Sequence, residues 1–229
     1  MICLIGQPAG IGDVIFLQPI ISHFTRDYQV IHPVLPQLLF LKDKLKTKAE
    51  IISAEDESLK GGVLFSEINR PAKIGDDIYI PFEKASQTYP GCVIRAKYQM
   101  VGMDVAGWQE HFDFHRDPKK EKELEELLEL PEEFNLVNRQ FGTYPGTFQK
   151  WEVQPRNDLP VVQMKYIEGF NVFDWAAVLE KATNIYTVDT CILMILEKLT
   201  LRAEKLEMWA RWNNYESIDG LFNKKWNYN

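Results

Sequence analysis

The chain alternates short, continuously apolar runs with segments whose apolar residues recur every three or four positions. Residues 1–5 form an unbroken apolar run and predict a buried strand. From 13 to 24, Val14, Leu17, Ile20, Ile21 and Phe24 fall at helical spacing. A second strand is predicted at 28–31, a short helix at 36–45 and a third strand at 50–53, with further short strands at 60–65 and 77–80. Residues 92–102 read as a helix carrying Val93, Ala96, Lys97, Met100 and Val101. Strands alternating with helices predict a parallel sheet with helices on its faces.

Residues 117–131 have a different character. Leu124, Leu127, Leu128 and Leu130 make a stripe among lysines and glutamates, so one face of this helix is wet. Asp117-Pro118 supplies an N-cap and a first-turn proline, and Pro131 a stop. The helix reads as a connector, and its charge run as a solvated face. Alternation then resumes, with a strand at 134–138, a polar loop-rich stretch at 139–158 and a strand at 159–166. A helix at 174–182 with Asn171 or Asp174 as cap, a strand at 185–188 and a helix at 191–199 follow. The division predicted is 1–117 and 118–229, each half a small doubly wound α/β domain. Residues 203–229 hold Trp209, Trp212, Tyr215, Phe222, Trp226 and Tyr228, too aromatic for a disordered tail. They are expected to pack back on the body as helix plus irregular coil.

Composition narrows the function. The 229 residues carry a formal net charge of −7, which argues against broad nucleic-acid binding through phosphate neutralisation. A local basic site for a diphosphate remains compatible with it. The apolar start is too short for a signal sequence, and no stretch is long enough to span a bilayer. A soluble cytoplasmic protein is expected, with no integral membrane contact, though transient contact with a membrane surface is compatible. Cys3, Cys92 and Cys191 lie far apart and read as reduced thiols. His111 and His115 are four apart but lack a third ligand, so no metal site is expected.

Two strand-loop-helix junctions carry the candidate chemistry. The first is Gly10-Ile11-Gly12-Asp13, between a strand and a helix. Gly10 and Gly12 would let backbone N–H groups approach a phosphate or sugar. Asp13 either caps the helix or takes a proton from a hydroxyl, and the sequence leaves both open. The second is Val188-Asp189-Thr190, where Asp189 and Thr190 are either a helix cap or a ligand contact. Ligands of α/β sheets bind beyond the carboxyl ends of strands, so both junctions are expected to line one cleft between the halves. Asn138-Arg139 ends another strand, and a guanidinium suits a diphosphate. Lys97 and Tyr98 read as a snorkelling lysine and a core-edge tyrosine. Trp209, Trp212 and Trp226 read as packing residues rather than sugar platforms, the first two at helical spacing.

Gly10-Ile11-Gly12-Asp13-Val14-Ile15, with Gln18-Pro19 behind it, resembles the N-terminal signature of the ADP-heptose lipopolysaccharide heptosyltransferases. The run 173–182, followed by Ile185-Tyr186-Thr187-Val188-Asp189-Thr190, is similar to the donor region of the same family. The resemblance implies a GT-B fold, two Rossmann-like domains facing a cleft, and sugar transfer without a metal. It implies Asp13 as the base that deprotonates an acceptor hydroxyl, and Asp189 with Thr190 beside the donor diphosphate. The partners implied are a nucleotide-diphosphate sugar, as co-substrate rather than cofactor, and a glycan or surface-polymer acceptor. Where the family has Gly and then His after Asp-Thr, this chain has Cys191 and then Met194. The segment carrying the ribose-binding Glu is cut short, with Glu168 in a later loop, and Lys150-Trp151 lacks the family's spacer. These departures point to a short, divergent relative of the sort found in phage or environmental genomes. They leave three readings: a glycosyltransferase, a non-catalytic nucleotide or sugar binder on the same scaffold, or an enzyme such as a sugar-nucleotide epimerase.

Overall fold

The computed structural model describes residues 1–59, 68–89, 92–142, 148–211 and 218–229. It divides into two compact units, Met1–His115 and Arg116–Asn229. Each is built on a five-stranded, mainly parallel sheet.

Unit 1 contains β1 (Ile2–Ile5), α1 (Ile11–Phe16), α2 (Gln18–Phe24), β2 (Gln29–Val34), α3 (Leu41–Lys44) and β3 (Glu50–Ser53). It continues through β4 (Ala72–Ile74), β5 (Asp77–Ile80), α4 (Ala85–Thr88) and α5 (Val93–Met100). The strand order is β3-β2-β1-β5-β4, with β4 antiparallel to β5 and the remaining pairs parallel. The segment expected as one helix from 13 to 24 is two, joined at Leu17. Pro19 has no N–H to give the preceding turn, which is where the break falls. Nearby, Gln18 Nε2 donates to the Val14 carbonyl at 2.9 Å. The helix expected at 36–45 is a 3₁₀ turn, Pro36–Leu38, followed by α3. The strand expected at 60–65 lies outside the described residues. Ile5, Val14, Ile15, Phe16, Leu17 and Ile20 are fully buried, and Phe16 packs on Trp108 with ring centroids 4.4 Å apart.

Unit 2 opens with α6 (Pro118–Leu128), capped by Asp117, whose side chain accepts from Lys120 N at 3.1 Å. Glu129 takes a left-handed conformation (φ 48°) and ends it before Pro131. The sheet contains β6 (Asn135–Asn138), β9 (Val161–Met164), β10 (Asn184–Val188), β11 (Lys205–Trp209) and β12 (Asn227–Tyr228), in the order β12-β11-β10-β6-β9 and all parallel. Between β6 and β9 lies a two-stranded ribbon of β7 (Gln140–Phe141) and β8 (Phe148–Gln149). Every residue of β6 and β10 is buried, as expected for central strands covered on both faces. The predicted cap at Asn171 is present and reciprocal: Asn171 Oδ1 accepts from Phe173 N and Asp174 Oδ2 from Asn171 N, both at 2.9 Å. It opens a 3₁₀ turn that runs into α7 (Ala176–Lys181). The last helix, α8, is Cys191–Leu196.

The expectation of a helical tail is corrected. Residues 205–209 and 227–228 are strands, because their backbone pairs in parallel with β10 and then β11. Trp209 and Trp226 are buried, and Trp212 lies outside the described residues. Among the described residues no helix is long and apolar enough to cross a membrane.

Candidate functional site

In unit 1 the chemistry gathers at the carboxyl end of β1, where strand order reverses between β2 on one side and β5 on the other. The loop leaving β1 is strapped to both neighbours. Gly6 N donates to Ile80 O, and Gly6 O accepts from Glu83 N, both at 2.8 Å. A Cβ on Gly6 would sit 2.9 Å from ring atoms of Tyr79, so only glycine lets the loop pass. On the other side, His32 Nε2 donates to Gln7 O and Leu35 N to Pro8 O, each at 2.9 Å. Gly10, at φ 86°, then turns the chain into α1 and accepts from Val14 N at 3.0 Å.

Asp13 is the third residue of α1 and does not cap it. Gly10 is the N-cap, and no side chain bonds there. Instead Asp13 Oδ1 accepts from Lys97 Nζ. The lysine side chain is 1% exposed and the aspartate side chain 33%, so the carboxylate is the face this pair shows to solvent. A Cβ on Gly10 would collide with Asp13 Oδ2, so the glycine also makes room for the carboxylate. Gly12, half-buried, is the second residue of α1.

Lys97 corrects the sequence reading. It does not snorkel; it lies in the interior on α5. Burial pulls its pKa below the ordinary lysine value, while the charge and hydrogen bond of Asp13 act the other way. Tyr98 is likewise buried rather than at the core edge, and its hydroxyl donates to Phe16 O at 2.5 Å. The signal for Lys97 was its position between Ala96 and Met100, both buried, one turn of helix apart. His32 is fully buried, and desolvation moves its pKa down to about 4. Its bond to Gln7 O opposes that shift, and the Lys97 charge adds to it. The ring is therefore neutral near pH 7.

Unit 2 has its own cluster at the carboxyl ends of β6, β10 and β11. Asn138 Nδ2 donates to Thr187 Oγ1 at 3.0 Å and to Thr190 Oγ1 at 3.3 Å, joining three of these residues across two strands. Thr190 also caps α8, accepting from Ile192 N at 3.3 Å. Asp189 is nearly buried, and its Oδ1 accepts from both Arg211 N (2.9 Å) and Arg211 Nε (3.0 Å). Burial raises the Asp189 carboxyl pKa, with the Arg211 and Lys150 charges pulling it down. Lys150 Nζ donates to Ala210 O at 2.7 Å, next to Arg211.

The Arg139 guanidinium, expected to suit a diphosphate, is engaged within unit 2. Its Nε donates to Val153 O at 2.9 Å and its Nη1 to Gln163 Oε1 at 2.6 Å, ties internal to the unit. Arg211 was missed because it follows a strand that the sequence presented as helix. At the two positions where the resembled family's pattern is broken, Met194 is buried and burial pushes the Cys191 thiol up to about 12. Glu168 lies in an exposed turn, and Trp151 is 65% exposed. His111 ends a 3₁₀ turn, and no group of three metal-ligating side chains occurs among the described residues.

The sequence matches no protein-family model and no curated protein. The fold has a counterpart. The chain is similar to the crystal structure of the glycosyl transferase family 9 from Veillonella parvula DSM 2008, with a TM-score of 0.51. The similarity covers 91% of this chain and 80% of that one, at 8% sequence identity. At that identity the likeness establishes a shared α/β fold with parallel sheets.

Proposed function

We propose that this chain is a glycosyltransferase that moves a sugar from a nucleotide-diphosphate donor to a hydroxyl of a glycan or surface polymer. The observation that carries the reading is the Asp13 carboxylate. It stands at the switch point of the unit 1 sheet, partly exposed, paired with a buried lysine and free of any capping duty. The fold shared with a glycosyl transferase family 9 protein supports it.

In this reading Asp13 takes the proton of the acceptor hydroxyl. The acceptor oxygen forms a bond to the anomeric carbon, and the bond from that carbon to the diphosphate oxygen breaks. The electron pair leaves with the nucleoside diphosphate. Unit 2 supplies the donor contacts: the polar ends of Asn138 and Thr190, with Lys150 and Arg211 offsetting charge on the leaving diphosphate. Both α1 and α8 have six residues, so side chains rather than long helix dipoles carry that charge. No metal is required by this scheme.

The test is transfer from a panel of nucleotide sugars to glycan acceptors, with Asp13→Asn beside the wild type. The variant should fold normally, bind nucleoside diphosphate normally and lose transfer by at least about a hundredfold. Equal turnover in the variant rejects the reading. A non-catalytic nucleotide or sugar binder is the second reading. It is favoured by the engagement of Asp189 with Arg211, which occupies a carboxylate that the resemblance gives to the donor. Calorimetry showing donor binding with neither transfer nor hydrolysis would select it.

A further inference from the structure

We infer that Lys97 is a positioning residue, which holds the Asp13 carboxylate in the single orientation from which it can accept a proton. The inference rests on the reading of Asp13 as base.

A buried ion pair is a costly way to dock one helix on another. Removing both charges from water offsets most of their attraction, and an apolar pair of the same volume is often as stable. Docking here does not depend on it. On the same helix, Ala96 and Met100 are buried, and Tyr98 donates its hydroxyl to Phe16 O at 2.5 Å. That bond alone ties α5 to the far end of α1. The glycine loop before α1 does not depend on Lys97 either. It is held by Gly6 N to Ile80 O, by His32 Nε2 to Gln7 O and by Leu35 N to Pro8 O.

What Lys97 does hold is one oxygen. Among the described residues its ammonium bonds only Asp13 Oδ1. The other oxygen, Oδ2, lies where a side chain on residue 10 would begin, and glycine leaves that space open. The carboxylate is thus fixed from one side by a buried cation and accommodated on the other by a missing Cβ. A side chain one-third exposed would otherwise sample several rotamers. His32 is close enough for the lysine's charge to act on it, but it is neutral and brings no second cation to compete for the carboxylate. A general base contributes through geometry before basicity, and small misplacements of a reacting group are expensive.

The experiment compares wild type, Lys97→Met, Asp13→Asn and the double variant. Methionine keeps the length and apolar volume of the lysine stem. In Lys97→Met the side chain of Asp13, read by three-bond couplings about χ1, should pass from one rotamer to an average. Transfer should fall about tenfold or more in kcat, with donor KM within about twofold. In the Asp13→Asn background the same substitution should have no further effect on kcat, because the group it positions is gone. An unchanged Asp13 rotamer, or an unchanged kcat, in Lys97→Met overturns the inference while leaving the glycosyltransferase reading intact. A wild type that transfers nothing rejects that reading by itself, and the rotamer measurement still decides whether Lys97 positions Asp13.

Discussion

Arg211 holds one oxygen of Asp189 twice, with its backbone N–H at 2.9 Å and its Nε at 3.0 Å. Asp189 N in turn donates to Trp209 O at 2.9 Å, so the β10–β11 pairing continues past both strands into side-chain bonds. The carboxylate is nearly buried, and burial already raises its pKa. Replacing Arg211 by Met removes the guanidinium that opposes that rise. The folded-state pKa then climbs further above the unfolded value. The variant is therefore expected to lose stability as pH rises through that raised pKa and to recover it in acid, where the group is protonated. Urea midpoints at pH 7 and pH 5 should show a larger deficit against wild type at pH 7. A deficit that is constant or larger at pH 5 would mean that the carboxylate does not depend on Arg211.

Gly10 meets two demands at once. Its φ of 86° is unfavourable for any side chain, and a Cβ there would run into the Asp13 carboxylate. Gly102 meets only the first, with φ 69° and open space around it. Gly102→Ala should cost about 1 kcal/mol, the ordinary penalty of a left-handed alanine. Gly10→Ala should cost about 2 kcal/mol or more, because the carboxylate must also move. It should also lower transfer activity, which Gly102→Ala should leave alone. Denaturant curves with matched activity measurements on both variants check this contrast.

Much of this architecture is legible in the chain because continuous apolar runs and tight turns leave local signatures. The strands around Cys3, Ile51, Tyr79, Leu136 and Tyr186 stand out as apolar or β-branched runs, and Asp117, Asn171 and Thr190 announce helix starts by chemistry that needs no tertiary context. The tail did not disclose itself. Residues 205–209 are short and carry Lys205 and Glu207 beside Leu206 and Met208, and only pairing with β10 makes them a strand. Lys97 escaped for a related reason. A lysine amid apolar residues is usually read by its type, and its burial depends on a partner, Asp13, 84 positions away. Gly10 and Asp13 were visible as a pair, but the reason for the glycine, room for a carboxylate, exists only once the loop is folded.

At the start of unit 2, Arg116 bridges two carboxylates. Its Nε donates to Glu121 Oε1 at 2.9 Å, and its Nη1 to Glu180 Oε2 at 2.7 Å, so the first turn of α6 is joined to α7. Glu121 is 3% exposed while Arg116 is partly exposed, so the arginine is what makes the buried glutamate tolerable. Arg116→Met should leave that carboxylate uncompensated and cost about 3 kcal/mol. Adding Glu121→Met should recover most of the loss, since the buried charge then goes as well. A double variant no more stable than the single one would show that the bridge to Glu180, and not the burial of Glu121, sets the cost.

His32 gives unit 1 a specific acid sensitivity. In the unfolded chain its imidazole titrates near the ordinary 6.5, while in the folded chain desolvation holds it at about 4. The folded-state pKa is lowered, so the unfolded state binds the extra proton first. Stability from this group is whole above pH 6.5, declines as pH falls, and levels off below about 4. The total over that window is about 3 kcal/mol, from a shift of about two and a half units. His32→Gln keeps a side-chain N–H that can reach Gln7 O but has nothing to titrate. Its stability should be nearly flat between pH 7 and pH 5 wherever the wild type declines, once the carboxylates common to both are subtracted. The comparison is direct: urea midpoints for the two proteins, plotted as a difference against pH. A difference that does not change across this interval would show that the histidine is protonated as readily in the folded chain as in the unfolded one. The buried, neutral ring beside Lys97 would then be wrong.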